Sequence, residues 1–401
     1  MYVTEHSGYR DFVWAIELNR LGLELIGLWP RTNETVKNTF VSDLRMGMIF
    51  FVITFLSIIP LLCSFVQVWG DMILMIDNLQ ITLPLIVISL KLVIIRWKRT
   101  AVALLVNMMA EDWIKLKVHS ERDVMIRRAR AARLIIICGY FLMIFVFVVL
   151  IVLPSFDIHF RYITNLTDQK RLLPFQAYYF YNTDKSPQFE LAFVIQATTV
   201  FVAAISYTPV DAFLGLTILH ICGQLENFKY RLDNLVLCKD FDSTLRNNVE
   251  THLRIIRFAS KIEDIFTLMM LGLVFYFGIV FCLCGFLLVT VINGDEIGDI
   301  SPSRVCFLVI GIFTLLAHTL LYCGAGEIIA EQCEAVYHTM CNLEWYKLES
   351  RKEKNLIILM IRANKPFRIT AGKIFPLTMT TFCSLLKTSG GYISFLLAKR
   401  G

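Results

Sequence analysis

Long apolar runs alternate with shorter polar stretches along this chain of 401 residues. Six of the runs carry almost no charge, namely 46–69, 72–90, 134–154, 191–209, 265–293 and 305–326. Each has about the 20 residues that a helix needs to cross a bilayer. Most are apolar around the whole helix and show no period-2 alternation, so the pattern predicts membrane-spanning helices and not a β-barrel.

A seventh run, 374–398, is interrupted near its middle by Lys387. A charged side chain is costly in lipid, so lysines at that depth usually face protein or water. This segment is therefore predicted to line a pathway and not merely to anchor the chain. The predicted fold is an all-α membrane protein with seven transmembrane helices.

The distribution of Lys and Arg predicts the orientation, because basic residues concentrate on the cytoplasmic side of a membrane. With the N-terminus inside, segments 1–45, 91–133, 210–264 and 327–374 place 31 basic residues inside, against 7 outside. This topology, with the C-terminus outside, is opposite to that of G-protein-coupled receptors. It makes Asn165 of the Asn165-Leu-Thr sequon the predicted glycosylation site, whereas a glycan on Asn33 would overturn the assignment.

Composition adds few chemical candidates, with 56% hydrophobic and 18% charged residues. No signal peptide is evident, so the first span is expected to direct insertion. The 11 cysteines lack paired metal-type spacing and are expected to be free thiols. The membrane segments hold no clustered His, Asp and Glu set, so neither an enzyme nor a cofactor is expected.

The polar connections on the inner side look helical. Apolar residues recur every three or four positions within 220–238 and 327–360, and the remaining positions mix acids with bases. We interpret these stretches as an assembly platform, with a merely solvated helical bundle as the alternative. The short apolar stretch 21–30 is expected to lie at, or dip into, the inner surface. In the long outer loop, the aromatic run 178–181 is either a lid or an interfacial belt.

Three motifs carry a resemblance to a known family. They are Ile26-Gly-Leu-Trp-Pro30, Thr370-Ala-Gly372, and Phe382-Cys-Ser-Leu-Leu-Lys-Thr-Ser389 followed by Tyr392 and Leu396-Leu397. Together with the size and inverted topology, they resemble insect odorant receptors, and the C-terminal motif is the specific one. The resemblance implies a subunit of a tetrameric, ligand-gated, non-selective cation channel. It also implies assembly with the shared odorant co-receptor in the plasma membrane of olfactory sensory neurons.

The resemblance also implies how the chain is divided. Residues 1–45 form a cytoplasmic segment with a short re-entrant or surface helix, and 46–326 contain helices one to six. Residues 327–373 supply cytoplasmic anchor helices, and 374–401 form the pore-lining seventh helix.

The resemblance implies an odorant pocket in the outer half of the bundle, among helices two, three, four and six, and such a pocket is expected to be mostly apolar with few polar groups. The residues that we assign to it share helical spacing on spans two, three, four and six: Met75, Leu79, Phe145, Val149, Val152, Phe193, Gln196, Val200, Phe307, Ile310 and Thr314. Each of them fits ordinary bundle packing as well. The low charge of these spans favours a small apolar volatile. Asp77 is an exception to this low charge, and as an acid within a span it is expected either to pair with another residue or to contact water.

For the pore, the resemblance places the gate at Phe395, three residues after Tyr392, with Lys399 one turn further out. The family usually has a small aliphatic gate, and rings of basic residues oppose cation entry. Both departures favour a mixed tetramer with the co-receptor over four identical copies. Lys387 either lines the inner vestibule or reaches a polar partner on a neighbouring helix.

Two other functions stay open from the sequence. A gustatory-receptor-like homomeric channel shares the topology, although the Tyr392 motif and Phe395 speak against it. A transporter is disfavoured because the two halves of the chain show no inverted repeat and no paired broken helices.

Overall fold

A computed structural model describes residues 5–30, 36–115, 118–156, 158, 171–236, 238, 240–293 and 302–400. Within these residues the chain is almost entirely helical. The α-helices are α1 Glu5–Leu25, α2 Val36–Ile53, α3 Ile59–Gln67, α4 Met72–Trp97, α5 Arg99–Ile114, α6 His119–Phe147, α7 Gln188–Asp233, α8 Phe241–Asn293, α9 Pro302–Cys341, α10 Ser350–Ala363 and α11 Met379–Arg400. π-helical turns at Thr54–Ile58 and Val148–Val152 join α2 to α3 and extend α6, and 3₁₀ turns lie at Pro154–Phe156 and Trp345–Lys347.

Six helical segments are long and apolar enough to cross a membrane. They are Phe40–Gln67, Met72–Trp97, His119–Phe156, Gln188–Asp233, Phe241–Val291 and Val305–Lys347, one for each of the six runs that carry almost no charge. The seventh run, predicted to be helical from residue 374, forms α11 only from Met379, because Phe375–Pro376 pair in a small hairpin; α11 is more polar than the other spans, with several Ser and Thr besides Lys387. The connection between α3 and α4 is tight, since Gly70 has a φ of 103° and the Asp71 carboxylate accepts hydrogen bonds from the Ile73 and Leu74 amides.

Three helices extend far beyond bilayer length. Helices α7, α8 and α9 have 46, 53 and 40 residues, which corresponds to roughly 60 to 80 Å at about 1.5 Å per residue. The amphipathic stretches at 220–233 and 327–341 are therefore helical as predicted. They continue the fourth and sixth spans directly, and are not separate connecting helices.

The N-terminal helix is longer than the short helix expected around 21–30. α1 has 21 residues and packs against α5, α6 and α7. It ends where Gly27 adopts a φ of 74°. The Leu28 amide donates to the Leu23 carbonyl at 2.8 Å and the Gly27 amide to the Glu24 carbonyl at 3.1 Å, the two bonds of a Schellman motif. The Gly-Leu-Trp-Pro motif is thus a helix stop.

The Thr370-Ala-Gly372 motif forms a small hairpin between α10 and α11. Strands β1 Thr370–Ala371 and β2 Phe375–Pro376 pair antiparallel, and Gly372 and Lys373 have φ of 63° and 60°. The hairpin is fixed to α8, because the Gly372 amide donates to the Thr267 carbonyl at 2.9 Å and the Thr370 hydroxyl donates to Glu263 at 2.6 Å. This attachment sets the point from which α11 starts.

Candidate ligand pocket and helix α11

A cavity lies between α3, α4, the end of α6, the loop 171–187 and the start of α9. It is small, about 30 Å³, which is room for about one or two waters. Its walls are mixed, with apolar side chains on most sides and three polar side chains on α4. The lining residues are Leu61, Asp77, Asn78, Gln80, Ile81, Val149, Leu150, Pro154, Pro174, Phe175, Gln176 and Phe307.

Asn78 closes one side of this cavity by linking three segments. Its side-chain amide donates to the Leu61 carbonyl at 3.1 Å and to the Gln176 carbonyl at 3.2 Å. The Thr82 hydroxyl donates to the Asn78 side-chain oxygen at 2.9 Å, which fixes the orientation of the amide. Because Asn78 is 1% exposed, it holds α3 and the loop against α4 without competition from water.

Gln196 on α7 holds the same loop from the opposite side. Its side-chain oxygen accepts from the Phe175 amide at 2.8 Å, and its nitrogen donates to the Tyr179 hydroxyl at 3.3 Å. Burial raises the pKa of Tyr179 to about 12, an effect that the Gln196 hydrogen bond partly offsets. The loop therefore covers the cavity, and two buried amide side chains fasten it there.

Of the eleven residues assigned to the pocket, the structure brings Val149 and Phe307 to the cavity wall. Gln196 supports the loop. Phe193 and Val200 pack into the main core, and the side chains of Met75, Leu79, Val152 and Thr314 are half-buried near the same ends of their helices. Phe145 and Ile310 are 46% and 39% exposed on the outside of the chain.

Helix α11 has one packed face and one exposed face. Leu385 and Leu386 pack on the main core, and Ser389 is buried. On the other side Lys387 is exposed, as are Tyr392 at 58% and Phe395 at 64%. Three of the four residues assigned to the pore thus lie on surface that this chain leaves uncovered. The side chain of Lys399 and the residue Asn165 lie outside what the structure describes.

A small apolar cluster connects the cavity to the end of α11. Ile76, Phe286, Leu287 and Leu308 form the cluster, and Leu396 and Leu397 of α11 pack against it. Ile76 precedes Asp77 and Leu308 follows Phe307, and both Asp77 and Phe307 line the cavity. Two wall residues of the cavity are therefore adjacent in sequence to residues against which α11 packs.

A buried ion pair lies deeper in the bundle. The Lys91 ammonium is 1% exposed and donates to both carboxylate oxygens of Asp211 at 2.7 and 2.6 Å. It also lies 3.7 Å from the centre of the Tyr207 ring. Lys91 is one of the 31 basic residues counted on the inner side; α4 continues past it to Trp97, and the residue is buried.

Sequence reasoning missed the loop residues 174–176, Asn78 and this ion pair. One signal was available, because Lys91 interrupts the apolar stretch 84–95 in the same way as Lys387 interrupts the last run. The others had no local signal, since they depend on which loop folds over which helix. The described residues include no group of His, Cys, Asp or Glu suited to a metal ion.

The chain matches a family model described as 7tm odorant receptor over residues 71–390. Among curated proteins it is 23% identical to Odorant receptor 10 of Aedes albopictus over 53% of this chain and 56% of that protein. It is 25% identical to Odorant receptor Or2 of Anopheles gambiae over 53% of this chain and 57% of that protein. The chain thus spans about half the length of these relatives.

The fold is similar to that of a solved structure, the insect olfactory receptor OR5 from Machilis hrabei in complex with eugenol. The TM-score is 0.82 at 16% sequence identity, covering 97% of this chain and 99% of that one. At this identity the similarity shows the fold alone. It confirms the predicted all-α membrane architecture with seven transmembrane helices.

Proposed function

Because the chain belongs to the 7tm odorant receptor family, we propose that it is the odorant-tuned subunit of a heterotetrameric, ligand-gated, non-selective cation channel. The observation that carries the proposal is the family match over residues 71–390, which runs from the start of α4 into α11 and includes most of the cavity wall and Lys387. The family is one of receptors and not of enzymes, in agreement with the sequence analysis. It also favours this function over a gustatory-receptor-like homomeric channel.

The ligand in this proposal is a small apolar volatile, and it binds in the cavity beneath the loop 171–187. Val149 and Phe307 supply apolar contact, and the Gln80 side chain supplies a polar group that orients a ligand. The cavity of about 30 Å³ must widen, because ligand pockets usually measure several hundred Å³. Met75, Leu79 and Val152 are then the nearest candidates to join its wall.

In this proposal, ligand binding opens the pore by moving the small apolar cluster against which the end of α11 packs. A ligand that pushes α4 or α9 outward shifts Ile76 and Leu308, on which the end of α11 rests. The ligand favours the open channel only to the extent that it binds the widened pocket more tightly than the narrow one.

The exposed face of α11 forms one wall of the pore. Phe395 is the proposed gate, a hydrophobic constriction that blocks ions by excluding water. Four identical copies would bring four phenylalanines, four Lys399 and four Arg400 to one mouth, which opposes cation passage. One such subunit among co-receptor subunits avoids this ring, so a heterotetramer fits the chain better.

We propose the topology that the charge pattern predicts and the division of the chain that the resemblance implies. The N-terminus and the anchor helices of 327–373 are cytoplasmic, the C-terminus is outside, and the complex lies in the plasma membrane of olfactory sensory neurons. The long ends of α7, α8 and α9 supply the surface on which subunits assemble.

The experiment is a recording from cells that express the receptor alone, the co-receptor alone, or both, across a panel of volatiles. We expect a volatile-evoked cation current only when both are present. Surface labelling of the receptor controls for its delivery to the membrane. A robust evoked current from the receptor alone would favour the homomeric channel instead.

A further inference from the structure

A second cavity lies at the opposite end of the molecule, where α10 packs against the extensions of α7, α8 and α9. Its volume is about 220 Å³, larger than the roughly 150 Å³ of an apolar cavity known to hold benzene. It is open at one side, and we call it the basal cavity. It lies about 30 residues along α9 from Phe307, or on the order of 45 Å at about 1.5 Å per residue, so it is separate from the proposed odorant pocket.

The walls of the basal cavity are mostly apolar, with His252 as a buried polar side chain among them. Leu225, Ile255 and Val336 line it and are 2%, 7% and 1% exposed, and Ala259 lines it at 1%. Such a cavity favours hydrocarbon, because water inside it would find few hydrogen-bond partners.

The mouth of the basal cavity is basic. Arg362 and Lys365 line it and are exposed, and neither side chain pairs with an acid in the part of the chain that the structure describes. Two other arginines of α7 and α8 do have acidic partners. Arg231 pairs with Glu121 at 2.6 Å and Arg254 pairs with Glu111 at 3.0 Å. Two cations without acidic partners at the rim of an apolar cavity match an acid with a hydrocarbon tail.

We propose that the basal cavity binds a single-chain carboxylic acid of medium length, with octanoic acid as the probe. The tail occupies the space between α7, α8 and α9, and the carboxylate accepts hydrogen bonds from Arg362 and Lys365. The site is independent of the odorant pocket. Because it joins α10 to three other helices, an occupied site stabilises this end of the subunit.

The test uses the full chain in lipid nanodiscs and a photoreactive octanoic acid with its reactive group at the tail end. We expect crosslinks on the cavity walls, and unlabelled octanoate should displace the probe. Octanol and octylamine lack the acid and should displace it at least about tenfold less well. Arg362→Gln/Lys365→Gln should weaken octanoate at least about tenfold. Arg351→Gln/Lys354→Gln, which removes the same charge from exposed positions of α10 outside the cavity, should leave it unchanged.

A second variant tests the apolar walls. Ala259→Leu fills part of the cavity and should reduce crosslinking, provided that the melting temperature of the variant shows it to be folded. Three outcomes would each overturn the proposal. They are competition by octanol as strong as that by octanoate, equal weakening of octanoate by the two double variants, and crosslinks that fall only on lipid-facing helices. Stronger competition by dioctanoyl phosphatidic acid than by octanoate would indicate a membrane lipid and also overturn it.

Discussion

Lys91 and Asp211 show how a single pair of residues shapes this bundle. Each charge would be costly alone between helices, and the two neutralise each other at 2.6 Å. We expect Lys91→Met to destabilise the receptor by about 3 kcal/mol, because Asp211, whose side chain is 17% exposed, would keep a largely buried charge without its cation. The measurement is unfolding of the purified receptor in detergent.

The double variant and an exposed pair separate this effect from simple loss of a contact. Lys91→Met/Asp211→Leu should recover most of the lost stability, since no charge remains buried. Lys98→Met, which breaks the exposed pair with Asp264, should cost less than about 1 kcal/mol. A loss at Lys91 no larger than that at Lys98 would contradict the argument.

Asn78 is one of the two buried amide side chains that hold the loop over the cavity. Asn78→Leu leaves the Leu61 and Gln176 carbonyls without their donor, at a cost of about 1–3 kcal/mol. The loop should then cover the ligand less tightly, so we expect the half-maximal concentration of an active volatile to rise about tenfold or more in cells with the co-receptor. Asn234→Leu, at an exposed amide after α7, is the matched control and should leave the response unchanged.

At the scale of helices, the sequence predicts what is apolar and periodic. All six uncharged runs became helices, and the amphipathic stretches 220–233 and 327–341 are helical. The predicted ends were less accurate, because nothing local stops a helix when it leaves the membrane into an amphipathic stretch that packs on its neighbours. α7 therefore continues past Pro209 to Asp233, a range in which only tertiary packing decides the length.

Gly27 ends helix α1, and it is the helix end whose position the local sequence determines most strictly. Its φ of 74° disfavours any side chain, and a Cβ there would lie 2.4 Å from the Ser42 carbonyl oxygen. We expect Gly27→Ala to destabilise the receptor by about 2 kcal/mol or more, from the left-handed backbone and the displaced α2. Thermal unfolding followed by size-exclusion chromatography measures this.

Gly47→Ala is the comparison for that prediction. Gly47 lies within α2, where a Cβ meets nothing within 4 Å. Alanine is favoured over glycine in a helix by up to about 1 kcal/mol, so this variant should be neutral or more stable. A similar loss of stability for both variants would mean that α2 tolerates no change at all, and not that Gly27 has a special conformation.

At the scale of the whole molecule, the sequence located the candidate site only in part. Val149 and Phe307 reached the cavity because span number and depth are readable from apolar runs. Phe145 is exposed because the rotation of a helix that is apolar on all sides has no signature in its own sequence. The loop 174–176 was missed because its place over α4 depends on hydrogen bonds from Asn78 and Gln196, which lie far away in the sequence.

The proposed gate depends on the whole assembly, because Phe395 closes a pore only when other subunits complete the ring. We expect Phe395→Val in cells with the co-receptor to raise the current without any volatile by about threefold or more, because a smaller ring excludes water less well from the constriction. Phe313→Val, at an aromatic that is 72% exposed on α9, should leave the resting current unchanged. If both variants raise it equally, exposed aromatics affect the channel through the surrounding lipid, and α11 is not distinguished as the pore wall.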